Sequence, residues 1–249
     1  MQPLRVGHIA LSFHAASAAV VRRILESHGH TVESSSAPHE EMFARYGAGE
    51  IDLLVSAWLP SSHGTYLAPF EADTVRWGVL YEPYCIWGVP EYVPADAVTG
   101  VADLLRLDVA SRMDKRIQGI GPGAGISRFS KAIVEAYGLG AAGYHFQTGT
   151  ELECFSRFEA AVAAKQWIVV PLWHPQYLHY MHYIRELIEP HGLLGGRDAA
   201  TLIVRKDAVP RIAPGAQKHL MHLTIGNARM SALDFLEWLP LRPQMMSNG

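Results

Sequence analysis

Asp52-Leu-Leu-Val-Ser-Ala-Trp58-Leu-Pro60, in the first half of the chain, and Trp167-Ile-Val-Val-Pro-Leu-Trp173-His-Pro175, in the second, share one construction. Each is a short apolar run that delivers a tryptophan and then a proline within two residues. Such runs read as buried strands, here Asp52–Ala57 and Trp167–Leu172, and the proline fixes the chain as it leaves. In open α/β sheets ligands sit outside the carboxyl ends of strands. Two such ends, each carrying an indole, predict two α/β lobes facing a ligand.

The surrounding chain fits that reading. Val6–Leu11 is predicted as a buried strand, followed by a helix capped by Ser17 and running through Val20, Val21, Ile24 and Leu25, with Gly29 past its end. A strand over Thr31–Ser35 and a helix over Glu40–Tyr46 follow. Val75–Tyr81 and Cys85–Val93, broken by Pro83 and Pro90, read as cleft-edge and crossover strands. The alternation restarts near residue 100 with a strand over Arg116–Ile120 and the turn Gly121–Gly125. The next helix places Phe129, Ile133, Ala136 and Tyr137 on one face and stops at Gly138. A strand over Tyr144–Thr148 leads to a capping box, Thr150 with Glu153, for a helix carrying Leu152, Phe155, Phe158 and Val162. A helix over Leu178–Ile188, a strand over Thr201–Arg205 and two closing helices, the second capped by Ser231, complete the pattern of a parallel-sheet α/β protein.

Composition narrows the function. Of 249 residues 49% are apolar and 18% charged, enough to bury a core, and the net charge is −3 with no basic stripe, which argues against nucleic acid. No run of about 20 apolar residues is present, so no membrane insertion is expected. The start, Met1-Gln2-Pro3-Leu4-Arg5, has no charged segment, apolar core or cleavage site of a leader; either a leader has been removed or the protein is cytoplasmic. Cys85 and Cys154 form no disulfide framework and read as two free thiols.

Four aromatics, Phe13, Trp58, Trp87 and Trp173, fall at predicted strand-to-loop junctions. Any one could be core packing, but their repetition in both halves points to a cage. A quaternary ammonium has no N–H to donate and is held by ring faces and anions; each indole face contributes about 0.5–2 kcal/mol when desolvated. His14 and His63 follow cage candidates closely and are candidate ligand contacts, with capping or surface roles as the alternative. His174, His179 and His182 lie close together, but no Cys or carboxylate completes a metal set with ligand spacing, so no metal and no cofactor is expected. Gly121–Gly125 lacks the Lys-Ser/Thr of a phosphate loop and the dinucleotide spacing; it is either a tight turn or a helix start whose N–H groups receive an anionic ligand group. Cys85 and the histidines offer a Cys–His pair, but no elbow or oriented triad accompanies them, so no catalytic residue is assigned.

Five segments, in order over roughly residues 5–206, resemble the substrate-binding proteins of glycine betaine/choline/carnitine ABC importers: Trp58-Leu-Pro60-Ser-Ser-His63, Gly119-Ile-Gly-Pro-Gly-Ala-Gly-Ile126, Tyr144-His-Phe-Gln-Thr-Gly-Thr-Glu151, Trp167–Pro175 and Leu187-Ile-Glu-Pro-His-Gly192. The resemblance implies a two-lobed, type II periplasmic-binding-protein-like α/β fold with a ligand cleft between lobes, the first from residues 1–100 plus 201–249 and the second from 101–200. It implies capture of a quaternary ammonium compound in an aromatic cage of Trp58, Trp87 and Trp173, with Phe13 on the first loop, for an ABC permease. It also implies an extracytoplasmic place of work. A cytoplasmic sensor with the same fold, or an enzyme acting on a quaternary amine, are the alternatives. Two positions depart from the family pattern: Gly121 stands where an acid is usual, and His174-Pro175-Gln176 stands where Pro then His is common after the tryptophan.

Overall fold

The computed structural model describes residues 2–239. In chain order the elements are β1 (Leu4–Ile9), α1 (Ser12–Ser27), β2 (Val32–Ala37), α2 (His39–Gly47), β3 (Leu53–Leu59), α3 (Gly64–Leu67), β4 (Thr74–Val79), β5 (Tyr84–Pro90), α4 (Leu107–Ala110), β6 (Arg116–Gln118), α5 (Gly125–Ala136), β7 (His145–Gln147), α6 (Glu151–Ala163), β8 (Val170–His174), α7 (Leu178–Met181), β9 (Ile184–Glu186), β10 (Ala199–Arg205), α8 (Pro214–Met221) and α9 (Asn227–Trp238). They divide into two compact units, residues 2–83 with 197–239, and Tyr84–Gly196. The chain thus leaves the first unit after Pro83, where the sequence reading draws the line near residue 100.

The first unit is built on a sheet in the order β2-β1-β3-β10-β4. β1 runs parallel to β2 and β3, but β10 is antiparallel to both its neighbours, so the expected all-parallel sheet is mixed. Every residue of β3 is buried, which is what a continuous apolar run in the middle of a covered sheet requires. Met42, Phe43 and Tyr46 of α2 close over Ile9, Leu54 and Ile203 in one buried cluster. The predicted start of α1 is corrected: the helix begins at Ser12, and Ser17 is an interior residue whose hydroxyl donates to the Phe13 carbonyl at 2.8 Å. That bond to the preceding turn is the alternative use of a helical serine to capping. α9 likewise begins after Gly226 (φ 79°) and not at Ser231. It packs on α1, where the buried Asp234 carboxylate accepts from Ser12 Oγ at 2.5 Å and Trp238 Nε1 donates to the same hydroxyl at 2.7 Å.

The second unit holds an antiparallel sheet, β8-β5-β9, and a parallel pair, β6–β7. β5 is therefore central, contrary to the crossover role expected of it; Pro90 ends it without interrupting the ladder, and Pro171 is tolerated because β8 is an edge. β8 starts at Val170, later than predicted, because Trp167 is used in an isolated bridge with Met113. The long helix predicted over Leu178–Ile188 stops at Met181, and Ile184–Glu186 pairs with β5 instead. Ile184 is buried there, and a β-branched residue gains more on a pleated sheet than in a helix. α5 buries Ile126, Ser127, Ser130 and Ile133, whereas Ala136 of the predicted face is exposed; Gly138 (φ 63°) ends the helix as expected. The capping box of α6 is present, with Phe155 and Phe158 inward and Leu152 left exposed. Cys85 and Cys154 are not joined in a disulfide, and the Cys154 thiol donates to the Gln118 carbonyl at 3.2 Å.

Candidate ligand-binding residues

In the first unit three elements converge on Trp58. β3 carries it to within one residue of its end, α1 brings Phe13 and His14 in its first turn, and the chain after β3 turns back to place His63. Phe13 lies 5.2 Å from Trp58 between ring centroids, His14 5.8 Å and His63 6.1 Å. Phe13 is thus a helical residue and not a loop one, with its ring beside Trp58. All four side chains are buried.

The orientation of Trp58 is set by residues that the sequence reading did not single out. Ser56, two positions earlier, has φ 64° inside a strand, the left-handed region that a side chain enters only at a cost. Its hydroxyl bonds Tyr81 Oη, and Trp58 Nε1 donates to both oxygens at 3.2 Å. Tyr81 is fully buried, which pushes its phenol up to about 12 and keeps it a neutral partner. His63 braces the turn: its Nδ1 accepts from the Trp58 backbone N–H at 2.9 Å. Asp198 braces the same turn, its carboxylate accepting from Ser61 N at 2.6 Å and Ser62 N at 2.9 Å. No sequence signal links Asp198 to residues so far away; the link is the antiparallel return of β10.

In the second unit Trp87 and Trp173 stand on neighbouring strands. Trp87 lies in the middle of β5, not at a junction; it is fully buried, and its Nε1 donates to Ser130 Oγ of α5 at 2.8 Å. Trp173 is next to last in β8, opposite Cys85, with Phe155 5.8 Å away and Tyr177 stacked edge-on to Phe155 at 5.4 Å. At the end of the β5–β8 pairing, Tyr84, His174 and His179 form a stack, with centroids 4.8 and 3.5 Å apart. His174 Nε2 lies 3.4 Å from Glu186, and His179 Nε2 donates to the Trp173 carbonyl at 3.1 Å. Burial, aided by the neighbouring His174, pushes His179 down to about 3. His182 turns away toward Glu159 at 4.0 Å, so the three histidines do not converge. Gln176, in the segment that departs from the family, is fully buried; its Oε1 accepts from Leu178 N at 2.6 Å, and its Nε2 has no hydrogen-bond partner. A side chain at Gly121 would meet nothing within 4 Å, so its loss of an acid is not a steric demand of the turn.

Chemically, the arrangement is one of aromatic rings. Two of the indole N–H groups, on Trp58 and Trp87, are already engaged inside the protein. What these tryptophans can offer a ligand is therefore a π face.

Residues 2–235 match the family described as the substrate binding domain of ABC-type glycine betaine transport systems. The fold is similar to that of the glycine betaine, L-proline ABC transporter binding protein of Borrelia burgdorferi, at 22% identity and a TM-score of 0.82 over 94% of this chain and 86% of that one. It is similar also to a lactococcal protein in its closed-liganded conformation complexed with glycine betaine (20%, 0.80, 99% of each chain). A third likeness is to an ABC-transporter choline binding protein in complex with choline (17%, 0.75, 98% and 90%). No curated protein matches the sequence.

Proposed function

Since the chain belongs to the family of substrate-binding domains of ABC-type glycine betaine transport systems, we propose that it captures a quaternary ammonium compound and presents it to an ABC permease. The family is one of substrate-binding transport proteins, not enzymes. Trp58, Trp87 and Trp173 are the ring faces offered to the cationic head, and Phe13 backs Trp58. His63 acts through Trp58, whose backbone it holds. The observation that carries this reading is the engagement of the Trp58 and Trp87 N–H groups by Ser56, Tyr81 and Ser130. With their edges spent, these indoles attract charge through their faces, and a head group with no N–H of its own loses nothing there. A primary ammonium would lose its hydration with no acceptor to replace it. The solute is met outside the cytoplasmic membrane, and no helix among the described residues is long and apolar enough to cross one.

The test is titration calorimetry with glycine betaine, choline, carnitine, proline betaine and trimethylamine N-oxide. Saturable binding of at least one, weakened on Trp58→Ala, is expected. Binding of none, or binding indifferent to all three tryptophans, would remove the proposal.

A further inference from the structure

The C-terminal ends of two helices of the first unit open on one cavity. α1 ends at Ser27 with His28 as its cap, and α8 ends at Met221 with His222 as its own. His28, Gly215, Lys218, His219 and His222 line a cavity of about 490 Å³ there. The rings of His28 and His219 stand edge to face, 5.9 Å apart between centroids. Gly215, one turn before His219, makes room for this: a Cβ at that position would lie 3.0 Å from Nδ1 and Cε1 of His28 and press its ring off the helix. A further histidine keeps the spacing, since His30 Nε2 accepts from Ala213 N at 3.0 Å and ties the chain after α1 to the start of α8. His222 donates through Nδ1 to the Lys218 carbonyl at 2.7 Å, which leaves Nε2 as its lone-pair nitrogen.

The chemistry of this cavity calls for a cation. Peptide dipoles place partial negative charge at helix C-termini, and neutral imidazole is the commonest metal ligand. No carboxylate lines the cavity, so the donors suit zinc or a neighbouring divalent transition metal and not calcium or magnesium. Two imidazole nitrogens about 2.0–2.1 Å from one zinc ion set their ring centroids about 5 Å apart. The observed pair needs to close by about 1 Å, within reach of two exposed side chains turning about their rotamers. Among the described residues no three His, Cys, Asp or Glu side chains form a ready metal centre, so water completes the shell. Lys218 opposes a cation here, but its long exposed side chain can carry the charge out to water.

We propose that His28 and His219 bind one zinc-like divalent ion, which clasps α8 to the end of α1. The two ligands come from opposite ends of the chain, so no spacing in the sequence shows them. Phe13 lies at the other end of α1, about 22 Å away at 1.5 Å per residue, which makes the site independent of the ring faces assigned to the solute.

The experiment is titration of the untagged full chain with zinc chloride and, separately, nickel chloride, followed by calorimetry and thermal melting. Zinc is expected to bind at one equivalent and to raise Tm, because it binds the folded arrangement only. His28→Ala and His219→Ala should each weaken binding at least about tenfold, the loss that even a supporting group costs a metal site. The double variant should show no rise in Tm with metal. His222→Ala should weaken binding less than either. His174→Ala, in the other histidine cluster, should bind as the parent does. Melting without metal shows that each variant is folded. No saturable binding by the parent, one-equivalent binding that survives in the double variant, or binding lost in His174→Ala would overturn the site. A Tm unmoved by bound metal would overturn the clasp.

Discussion

Ser56 is the residue on which the indole of Trp58 turns. A serine at φ 64° in a strand costs about 1–2 kcal/mol, and here that conformation accompanies a hydroxyl placed between Tyr81 and Trp58. Ser56→Gly relieves the backbone but deletes the hydroxyl, so stability should change little while ligand affinity falls. Titration calorimetry beside a denaturant melt separates the two; a fall in both, in proportion, would mean that Ser56 serves only the fold. For the rings themselves, Trp58→Ala, Trp87→Ala and Trp173→Ala should each cost about 1–3 kcal/mol of binding, and Trp→Phe less, because the face is kept. Trp238, tied to Ser12, and Trp167, under the Arg112 guanidinium at 3.7 Å, should lower stability and spare affinity when substituted. Trp58 and Trp173 stand out in the sequence because an apolar run ending in Trp and Pro is a pattern. Ser56 lies inside the same run, yet nothing in alternating hydrophobicity encodes a positive φ, and Tyr81 becomes a partner only through the sheet.

At the scale of elements, the chain after β3 is held by groups from distant sequence. Asp198→Ala leaves two backbone N–H groups of that turn without an acceptor, at a cost of about 1–3 kcal/mol, and should loosen ligand binding as well. Thr150→Ala breaks the capping box of α6 for about 1 kcal/mol and should leave affinity alone. The capping box could be read from four consecutive residues, whereas the Asp198 brace could not, because it depends on β10 returning antiparallel beside β3. The same limit explains Ile184–Glu186: its pattern fits either a helix or a strand, and pairing with β5 decides. The stacked histidines at the end of β8 carry a pH consequence. His179, at about 3 in the fold against an ordinary 6.5, is neutral when folded and gains a proton on unfolding below about pH 6.5. Its contribution to stability is thus complete above about pH 6.5 and declines toward pH 3, by up to about 1 kcal/mol per pH unit. His14, also held neutral, acts in the same direction. His179→Phe should flatten the dependence of the denaturant midpoint on pH between about 6.5 and 4; an unchanged slope would place acid sensitivity elsewhere.

For the molecule as a whole, α/β alternation made the class readable, and two units were foreseen because the alternation restarts. Their limits were not, since the exchange at residues 83/84 and 196/197 lies beside Pro83 and Gly196, residues that mark many ordinary turns. The whole chain also offers the broadest test of its proposed ligand. A ligand that binds only the folded state stabilises it by RT ln(1 + [L]/Kd), about 2.7 kcal/mol at a hundredfold excess over Kd. For a chain of this size each kcal/mol moves Tm by about 2–4 °C, so saturating glycine betaine should raise Tm by about 5–10 °C. The methyl groups carry the attraction to the rings, so dimethylglycine at the same concentration should raise Tm less, and glycine hardly at all. Glycine differs from glycine betaine only at the nitrogen, which makes the series a measure of the head group with the carboxylate held constant. The gradation should vanish in Trp58→Ala, whose melting in the absence of ligand supplies the baseline. Equal shifts from glycine and glycine betaine would mean that the carboxylate alone is recognised, and that the ring faces around Trp58 and Trp173 are core packing.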